Sequence, residues 1–419
     1  MTNELKNVPE LRFSNFCDEW VNYKLGEIVD IRGRIGFRGY TKSDIINKED
    51  GGVLTFSPTN IIYNKLKNTV HDTYITKEKY EESPEIMVKT GDILFVKTGS
   101  TLGKSTLVAN LNEEATVNPQ IAVMRVKVFF HQKFTSTYLT LNKILRQVAQ
   151  TRIGGAIPTL TESEIKKFQV SFPVYEEQQK IGNFFSKLDR QIELEEEKLE
   201  LLEQQKKGYM QKIFSQEIRF KDENGNDYPD WKEQKLEELG RFNSGVGFPE
   251  KYQGGNLGTP FFKVSDMNLP ANKTLMNMAN NYVTDQQINE KKWKVINDVP
   301  AVIFAKVGAA IMLNRKRIVI EPFLMDNNTM SYSFSTHWDT NFGNIFFQTL
   351  NLPKYAQVGA LPSYNSKDIG TISVNLPSLS EQQKIGDFFS KLDIFIEKQS
   401  DKIELLKERK KGFLQKMFI

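Results

Sequence analysis

Apolar residues recur at alternating steps of three and four in two long stretches of the chain. The first stretch carries Ile181, Phe185, Leu188, Ile192, Leu199, Leu202, Tyr209 and Ile213, and the second carries Ile385, Phe389, Leu392, Ile396, Ile403, Leu406, Phe413 and Met417. Polar residues interrupt the two stripes at matching places, Glu195 with Gln399 and Lys206 with Lys410. A period near 3.5 residues, kept over about five heptads, is typical of coiled-coil helices. The pattern predicts two long helices that bury these stripes.

The two helical stretches belong to an internal repeat. Residues 155–214 and 359–418 align without a gap at an offset of 204, and 30 of the 60 aligned positions are identical. One copy begins Gly-Ala-Ile-Pro and the other Gly-Ala-Leu-Pro, and both contain Glu-Gln-Gln-Lys-Ile-Gly. Weaker similarity precedes each copy, where Trp20 and Trp231 are both followed by Lys-Leu. We predict variable domains over 1–154 and 215–358, and helical regions over 155–214 and 359–419.

The variable domains mix strand and helix patterns. Apolar runs between turn residues predict strands at Asp92–Val96 and Ile121–Val128, and a buried strand and turn over Val299–Leu313. Tyr138–Gln150 has the spacing of a helix. Each variable domain is therefore assigned to the α/β class.

The repeat also predicts how the helices run. A first helix of roughly 38 residues would be about 57 Å long and would hold the two domains apart. The second helix carries the same stripe, and it buries that stripe most simply by running back antiparallel to the first. This brings Ile419 near the beginning of the first domain. The predicted fold is two α/β domains separated by two long antiparallel coiled-coil helices, with an internal pseudo-two-fold repeat of the kind that dimeric DNA readers use.

Composition restricts the function further. The net charge is only +4, with 21 Lys/Arg against 17 Asp/Glu in residues 1–154 and 16 against 16 in residues 215–358. A DNA-binding face must therefore arise from local sorting of charge. The single cysteine, Cys17, excludes an intramolecular disulfide and fits a reducing cytoplasm. The longest apolar stretch, Val299–Leu313, contains Lys306 and is too short to span a bilayer, so no membrane contact is expected.

Apparent catalytic motifs fail on inspection. Gly99–Ser105 has three residues between its glycines where a phosphate-binding loop needs four. His71, His131 and His337 lack metal-ligand spacing, and the single cysteine disfavours a zinc site. Asn118-Pro119-Gln120 lacks the Asn-Pro-Pro-aromatic motif with which amino-methyltransferases hold a base, so we interpret it as a turn. We predict no catalytic residue and no metal site.

Basic residues beside glycines are the candidate DNA contacts. Arg32, Arg34 and Arg38 alternate with glycines, which brings guanidinium groups and open backbone close to phosphates or base edges, although a solvated loop would explain them too. Lys97 and Lys306 occupy equivalent places before a glycine, where they would contact phosphate or cap local carbonyls. Asn314, Arg315, Lys316 and Arg317 form a short basic run that is either a backbone contact or an exposed turn. Lys104 and Arg152 complete the set.

Identical polar residues on the two helices are the candidate partner contacts. They are Lys206, Lys207, Gln211 and Lys212 in the first copy, and Lys410, Lys411, Gln415 and Lys416 in the second. These residues would serve a scaffold simply by solvating the coil. Identity at exposed positions of both copies instead favours binding of two identical partners.

The layout of variable domain, Glu-Gln-Gln-Lys-Ile helix, variable domain and helix resembles the specificity subunit of type I restriction–modification systems over essentially the whole chain. Trp20 with Lys-Leu-Gly-Glu-Ile at 24–28 adds to the resemblance, whereas the second copy has Glu237-Glu238-Leu239 in place of Gly-Glu-Ile. The resemblance implies a non-catalytic subunit whose two target-recognition domains read the halves of a split, asymmetric site in double-stranded DNA. It also implies helices that set the spacing and dock two methyltransferase subunits.

The same resemblance implies where the cofactors are held. S-adenosylmethionine is expected on the methyltransferase subunits, ATP and magnesium on restriction subunits that join the complex, and none on this chain.

Two other functions remain open from the residues alone. A standalone DNA methyltransferase is disfavoured by the missing Asn-Pro-Pro-aromatic motif and Gly-rich cofactor turn, and cofactor binding by the chain alone would revive it. A coiled-coil adaptor with no DNA role would explain the helices but would leave the two variable domains without a function.

Overall fold

A computed structural model describes residues 7–34, 39–152, 157–357 and 361–419. The chain forms two compact units. The first unit contains residues 1–196 together with 401–419, and the second contains residues 197–400. The predicted domain boundaries at 154/155 and 358/359 fall on residues 153–156 and 358–360, which lie outside the described residues, so these boundaries stay predictions.

Within the described residues, the first unit contains strands β1–β12, five short α-helices and parts of the two long helices. Its strands are β1 (Val21–Lys24), β2 (Val29–Arg32), β3 (Ile45–Ile46), β4 (Val53–Phe56), β5 (Ile61–Ile62), β6 (Lys65–Leu66), β7 (Thr73–Ile75), β8 (Ile93–Val96), β9 (Ser105–Leu107), β10 (Ala115–Val117), β11 (Ile121–Val126) and β12 (Gln169–Phe172). Its helices are α1 (Leu25–Ile28), α2 (Lys77–Glu81), α3 (Gln132–Leu139), α4 (Asn142–Thr151), α5 (Glu162–Ile165), the first part of α6 (Tyr175–Phe214) and the last part of α11 (Leu379–Lys416).

The second unit follows a similar order with fewer strands. Its strands are β13 (Lys232–Lys235), β14 (Gly240–Ser244), β15 (Thr259–Phe262), β16 (Tyr282–Val283), β17 (Ala301–Ala305), β18 (Lys316–Val319), β19 (Leu324–Met325), β20 (Thr329–Phe334) and β21 (Ser373–Leu376). Its helices are the rest of α6, α7 (Leu236–Leu239), α8 (Asp285–Lys291), α9 (Thr340–Thr349), α10 (Ser366–Gly370) and the first part of α11 (Leu379–Lys416).

Each unit is built around a four-stranded antiparallel sheet, with order β2-β11-β8-β9 in the first and β14-β20-β17-β18 in the second. A smaller mixed sheet lies beside it, in which β10 runs parallel to β4 and β19 runs parallel to β15. A two-stranded sheet joins β1 to β12 in the first unit and β13 to β21 in the second. The equivalent strands confirm that the two variable domains share one α/β fold.

The central strand of each large sheet is buried on both faces. In β8, Ile93 and Phe95 join the cluster that contains the long helix, whereas Leu94 and Val96 pack against the smaller sheet. In β17, Val302 and Phe304 likewise pack in the cluster with the long helices, whereas Ala301 and Ile303 pack against the smaller sheet. Burial on both faces explains why these strands are continuous apolar runs with no alternation of polar residues.

Helices α6 and α11 pack antiparallel within each unit, as the stripes predict. In the first unit Asp189 pairs with Lys410 at 2.5 Å, and the rings of Phe184 and Phe413 have centroids 5.0 Å apart. In the second unit the equivalent residues, Lys206 and Asp393, also pair at 2.5 Å. The backbone N–H of Leu11 donates to the carbonyl of Lys416 at 2.8 Å, which confirms that the chain ends beside its own beginning.

Two local predictions have different outcomes. The strand and turn predicted over Val299–Leu313 are confirmed as β17 followed by a 3-10 helix, Ala309–Leu313. The single helix predicted over Tyr138–Gln150 is wrong, because α3 ends at Leu139 and α4 begins at Asn142. In the part of the chain that the structure describes, no helix is long and apolar enough to cross a membrane.

Candidate nucleic-acid interface

Four of the predicted DNA contacts meet at one end of the first unit's large sheet. Arg32 ends β2, Arg34 follows it, Lys97 directly follows β8, and Lys104 directly precedes β9. The antiparallel register pairs Val96 with Ile121 and Phe95 with Ser105, which places these residues at the same end of the sheet. We call residues 32–34, 97–104 and 118–121 the first edge.

The second unit has the equivalent arrangement. Lys306 directly follows β17 and Arg315 directly precedes β18, while Ala305 pairs with Thr329 at the beginning of β20. We call residues 306–316 and 326–329 the second edge. The structure thus brings Lys306 together with the basic run at 314–317, as it brings Lys97 together with Arg32 and Lys104.

Both edges are built on the same backbone hydrogen bonds. The N–H of Lys97 donates to Gln120 O at 2.8 Å, and the N–H of Lys306 donates to Asn328 O at 2.9 Å. The next turn is anchored to the proline of each repeated Gly-Ala-Ile/Leu-Pro segment, since Gly99 donates to Pro158 O at 3.0 Å and Gly308 to Pro362 O at 2.8 Å.

The glycine at this turn is required by its backbone conformation. Gly99 has φ of 106° and Gly308 has φ of 86°, a region that other residues rarely adopt. The repeated proline and glycine therefore preserve the turn itself, whereas the side chains around it are free to differ between the two units.

A second turn at each edge presents an amide side chain. Asn118 accepts from the backbone N–H of Gln120 at 3.1 Å, and Asp326 accepts from the backbone N–H of Asn328 at 3.2 Å. Burial raises the pKa of the Asp326 carboxyl, which is otherwise held by Asn328 and Thr329. Asn118-Pro119-Gln120 is thus a turn, as predicted. Its equivalence to 326–328 escaped the sequence reasoning because the two segments share no residue and are recognisable only by their place before β11 and β20.

The two equivalent lysines differ in their partners. Lys97 lies 3.6 Å from the carboxylate of Glu162. In the aligned repeat, Ser366 stands where the first copy has Glu162. Lys306 accordingly makes no ion pair with any residue that the structure describes, and its half-buried side chain is the better candidate for a phosphate contact.

Three residues of the basic run at 314–317, which we predict to be either a DNA-backbone contact or an exposed turn, make hydrogen bonds within the second unit, so the exposed turn is wrong for them. Lys316 is only 1% exposed, its ammonium donates to Leu350 O at 2.6 Å, and burial lowers its pKa to about 8. Asn314 donates to the same carbonyl at 3.0 Å. Arg317 donates to the backbone carbonyl of Asn272 at 2.6 Å, and burial lowers its pKa. Only Arg315 of this run is exposed.

The remaining predicted DNA contacts of the first unit also include both a structural residue and exposed ones. Arg34 donates to Val117 O at 3.0 Å, and burial lowers its pKa, so it holds the edge together. Arg32, Lys104 and Arg152 are exposed and make no ion pair within the described ranges. Arg38 lies outside the described residues.

The repeated Glu-Gln-Gln segment anchors each variable domain to its helix, a role that the sequence reasoning missed. Gln178 accepts from the backbone N–H of His131 at 2.9 Å and donates to Pro173 O at 2.8 Å. Gln382 makes the equivalent bonds to Asp339 N at 2.9 Å and Pro377 O at 3.0 Å. The first glutamate also recurs, since Glu177 binds Arg12 and Glu381 binds Arg219.

The glycine of Lys-Ile-Gly permits a close approach of two helices. A Cβ on Gly182 would lie 2.7 Å from Phe134 N, and one on Gly386 would lie 2.8 Å from Phe342 N. Identity between the copies at these positions therefore reflects packing within each unit.

The predicted partner contacts on the helices fall into two groups. Lys206 and Lys410 are half-buried and pair with Asp393 and Asp189 across the helix pair. The others are exposed, with Lys212 paired to Glu217 at 3.5 Å and Lys416 to Glu10 at 2.8 Å. Lys207, Lys411, Gln211 and Gln415 are exposed in both copies and remain the candidates for a partner.

Comparison with known proteins decides the family. Residues 17–204 and 228–408 each match the type I restriction modification DNA specificity domain, and together they cover most of the chain. The chain belongs to the type I restriction–modification DNA specificity family. The resemblance drawn from the framing motifs is thereby confirmed.

Similar members of the family align over nearly the whole chain. A putative type I restriction enzyme MjaX specificity subunit of Methanocaldococcus jannaschii is 21% identical, covering 97% of this chain and 94% of that protein. The MjaVIII specificity subunit of the same organism has the same identity and coverage.

Solved structures share the fold. The S subunit of a type I restriction–modification system from M. genitalium matches with a TM-score of 0.59 at 15% identity, covering 98% of this chain and 99% of that one. A chain from a study of assembly and conformational transition of the type I R-M system matches with a TM-score of 0.55 at 15% identity, over 95% and 97%. The type I specificity fold predicted from the repeat is therefore confirmed.

Proposed function

We propose that the chain is the sequence-reading subunit of a type I restriction–modification complex, and that each unit reads one half of a bipartite site in double-stranded DNA. The two equivalent edges carry this proposal. Each presents a lysine, a glycine turn and an amide at the same end of the same sheet, built on matching backbone hydrogen bonds. Lysine suits phosphate, and amide side chains suit base edges in the major groove.

The half-sites are expected to differ from one another. The backbone turns are alike, but the side chains they present are not, with Gln120 in one unit against Asn328 in the other and Ser100 against Ala309. Sequence is read by side chains at base edges, so two unlike sets read two unlike half-sites and the whole site is asymmetric.

The helices are proposed to dock two methyltransferase subunits and to set the spacing between half-sites. Support comes from exposed identity between the copies: Lys207 with Lys411, Gln211 with Gln415, and the exposed apolar pair Leu201 and Leu405 at 58% and 56% exposure. Two equal surfaces suit two copies of one partner. This chain would be non-catalytic, with S-adenosylmethionine on the methyltransferase subunits and ATP and magnesium on the restriction subunits.

The proposal is tested by mapping methyladenine across a host genome with this gene present and with it deleted. We expect one two-part motif to lose methylation on deletion and to regain it when the gene is restored. Unchanged methylation at every motif, in a host that expresses the methyltransferase partner, would contradict a sequence-reading role and favour the coiled-coil adaptor.

Replacing Lys306 by Ala should weaken DNA binding and reduce its salt dependence. The slope of log K against log salt should fall by about 0.9, the contribution of one phosphate contact. Binding of the assembled methyltransferase complex to its cognate duplex, measured at several salt concentrations, checks this. The matched control is Lys232→Ala, an exposed lysine in β13 of the same unit that is not part of the second edge. If the two variants have the same salt slope, Lys306 serves local structure.

A further inference from the structure

The hairpin formed by β5 and β6 ends in an unusual turn. Ile62 pairs with Lys65, so only Tyr63 and Asn64 form the turn, and both have positive φ, 50° and 59°. Such two-residue turns favour Asn-Gly, and a tyrosine in the first position is conformationally costly. The Tyr63 side chain is 93% exposed and makes no hydrogen bond or ring contact with the described residues. Packing therefore does not explain why this residue stands here, and an unexplained strained residue is grounds for a functional hypothesis.

The base of this hairpin is firmly held. The buried side chain of Asn60 donates to Asp72 at 2.7 Å and to Lys67 O at 3.1 Å. The hydroxyl of Thr106 on β9 donates to Asn64 O at 3.0 Å, which ties the turn to the large sheet. The exposed tyrosine is thus presented from a fixed backbone, so that little ordering is needed when it meets a ligand.

An open cleft lies between the hairpin turn and the first edge. It has a volume of about 870 Å³, and its lining includes Tyr63, Asn64, Gly99, Ser100, Lys104 and Gln120. The side chain of Gln120 is held in place by Asn118, because its amide oxygen Oε1 accepts from Asn118 Nδ2 at 3.1 Å. The cleft therefore combines an exposed ring, a positioned amide, a hydroxyl and an ammonium group.

These groups fit a DNA base edge. An amide hydrogen-bonds bases in the major groove, a two-stranded ribbon is narrow enough to enter that groove, and an aromatic ring offers apolar contact to a base. Lys104 would meet a flanking phosphate. Sites for small molecules are instead enclosed and bury most of their ligand, whereas this cleft is open along one side.

We propose that this cleft receives base edges of the half-site read by the first unit, with Tyr63 and Gln120 as specificity-determining residues. The inference rests on the proposed DNA-reading function and narrows it to named side chains. In the second unit the corresponding stretch between β15 and β16 contains two 3-10 helices, Val264–Asn268 and Pro270–Asn272, in place of the hairpin. The effect of changing Tyr63 is therefore confined to one half-site.

The test uses the full-length chain assembled with its methyltransferase subunits. Tyr63→Asn removes the ring while keeping a residue that suits the turn, and Gln120→Ala removes the amide. Genomic methyladenine maps and binding to duplexes with one randomised half-site should show relaxed base preference in one half. We expect affinity for the cognate duplex to fall roughly tenfold to hundredfold. The other half-site and the spacer should be unchanged.

Phe129→Ala is the matched control, because Phe129 is a ring exposed to 82% that follows the opposite end of β11. It should leave the motif intact. Unaltered base preference in both Tyr63→Asn and Gln120→Ala would overturn the inference, and so would uniformly weaker binding to all sequences. Either result would contradict only the role of the cleft, provided that the wild-type chain still confers a two-part motif. If the wild-type chain confers no motif, both the DNA-reading function and the role of the cleft are contradicted.

Discussion

Deleting Leu199–Leu202 from α6 together with Ile403–Leu406 from α11 should shorten the spacer between the two half-sites by about 2 base pairs. Four helical residues span about 6 Å, and adjacent base pairs are about 3.4 Å apart. The two deleted segments are equivalent in the repeat, being 204 positions apart, so both helices lose the same length. Four residues are close to one turn, which keeps the stripes facing each other. The spacer is measured from the methyladenine motif that the variant confers.

The control removes Leu199–Leu202 from α6 alone. Asp189 pairs with Lys410 and Lys206 pairs with Asp393, so shortening a single helix cannot keep both ion pairs while its partner keeps full length. We expect this variant to lose methylation at the parental site. If the double deletion leaves the spacer at its original length, the helices do not set the spacing.

The repeat predicted the fold well because heptad spacing is a local signal. Ile181, Phe185 and Ile192 are buried along α6, as their spacing requires. The strands β8 and β17 were also recognisable, since burial on both faces makes them continuous apolar runs. The break between α3 and α4 had no comparable signal, because Thr140 and Leu141 do not by themselves end a helix.

The candidate site could be predicted only in part. Lys97 and Lys306 were found because a charge before a glycine recurs in both copies. Whether each lysine has an ion-pair partner depends on residue 162 and its equivalent 366, which lie 65 and 60 positions away, so sequence alone could not separate a paired lysine from an unpaired one. The prediction for Lys316 was wrong for another reason. A basic residue in a polar run was assigned to the surface, but Lys316 lies in β18 and is buried.

Identity between the copies proved ambiguous as a sign of partner binding. Lys206 and Lys410 are identical because each makes the same ion pair across the helices. Gln178 and Gln382 are identical because each anchors the backbone of a variable domain. Only identity at exposed positions without such a contact, as at Lys207 and Lys411, still supports a docking surface.

Replacing Glu177 by Ala should destabilise the first unit by about 3 kcal/mol. Glu177 is fully buried, and its two oxygens accept from Nε and Nη2 of Arg12, both at 2.7 Å. This hydrogen bond raises the pKa of the Arg12 guanidinium. Without the carboxylate, a charged group that is 10% exposed would stay buried with no counter-ion, which is the main cost of breaking such a pair. Urea unfolding of the full-length chain, followed through the tryptophan environment, measures the loss.

The neighbouring exposed carboxylate supplies the control, because Glu176→Ala changes the same charge at the first turn of α6 without uncovering a buried partner. A double variant, Arg12→Met with Glu177→Leu, should recover most of the lost stability, since replacing both charges with apolar groups removes the unpaired ion. Equal unfolding midpoints for Glu176→Ala and Glu177→Ala would mean that the Arg12 pair does not fasten the N-terminal segment to α6. If Glu177→Ala does lose stability, the double variant shows the cause. Recovery in the double variant would assign the loss to the uncompensated charge of Arg12. Continued instability would assign it to the loss of the geometry that the bidentate pair imposes.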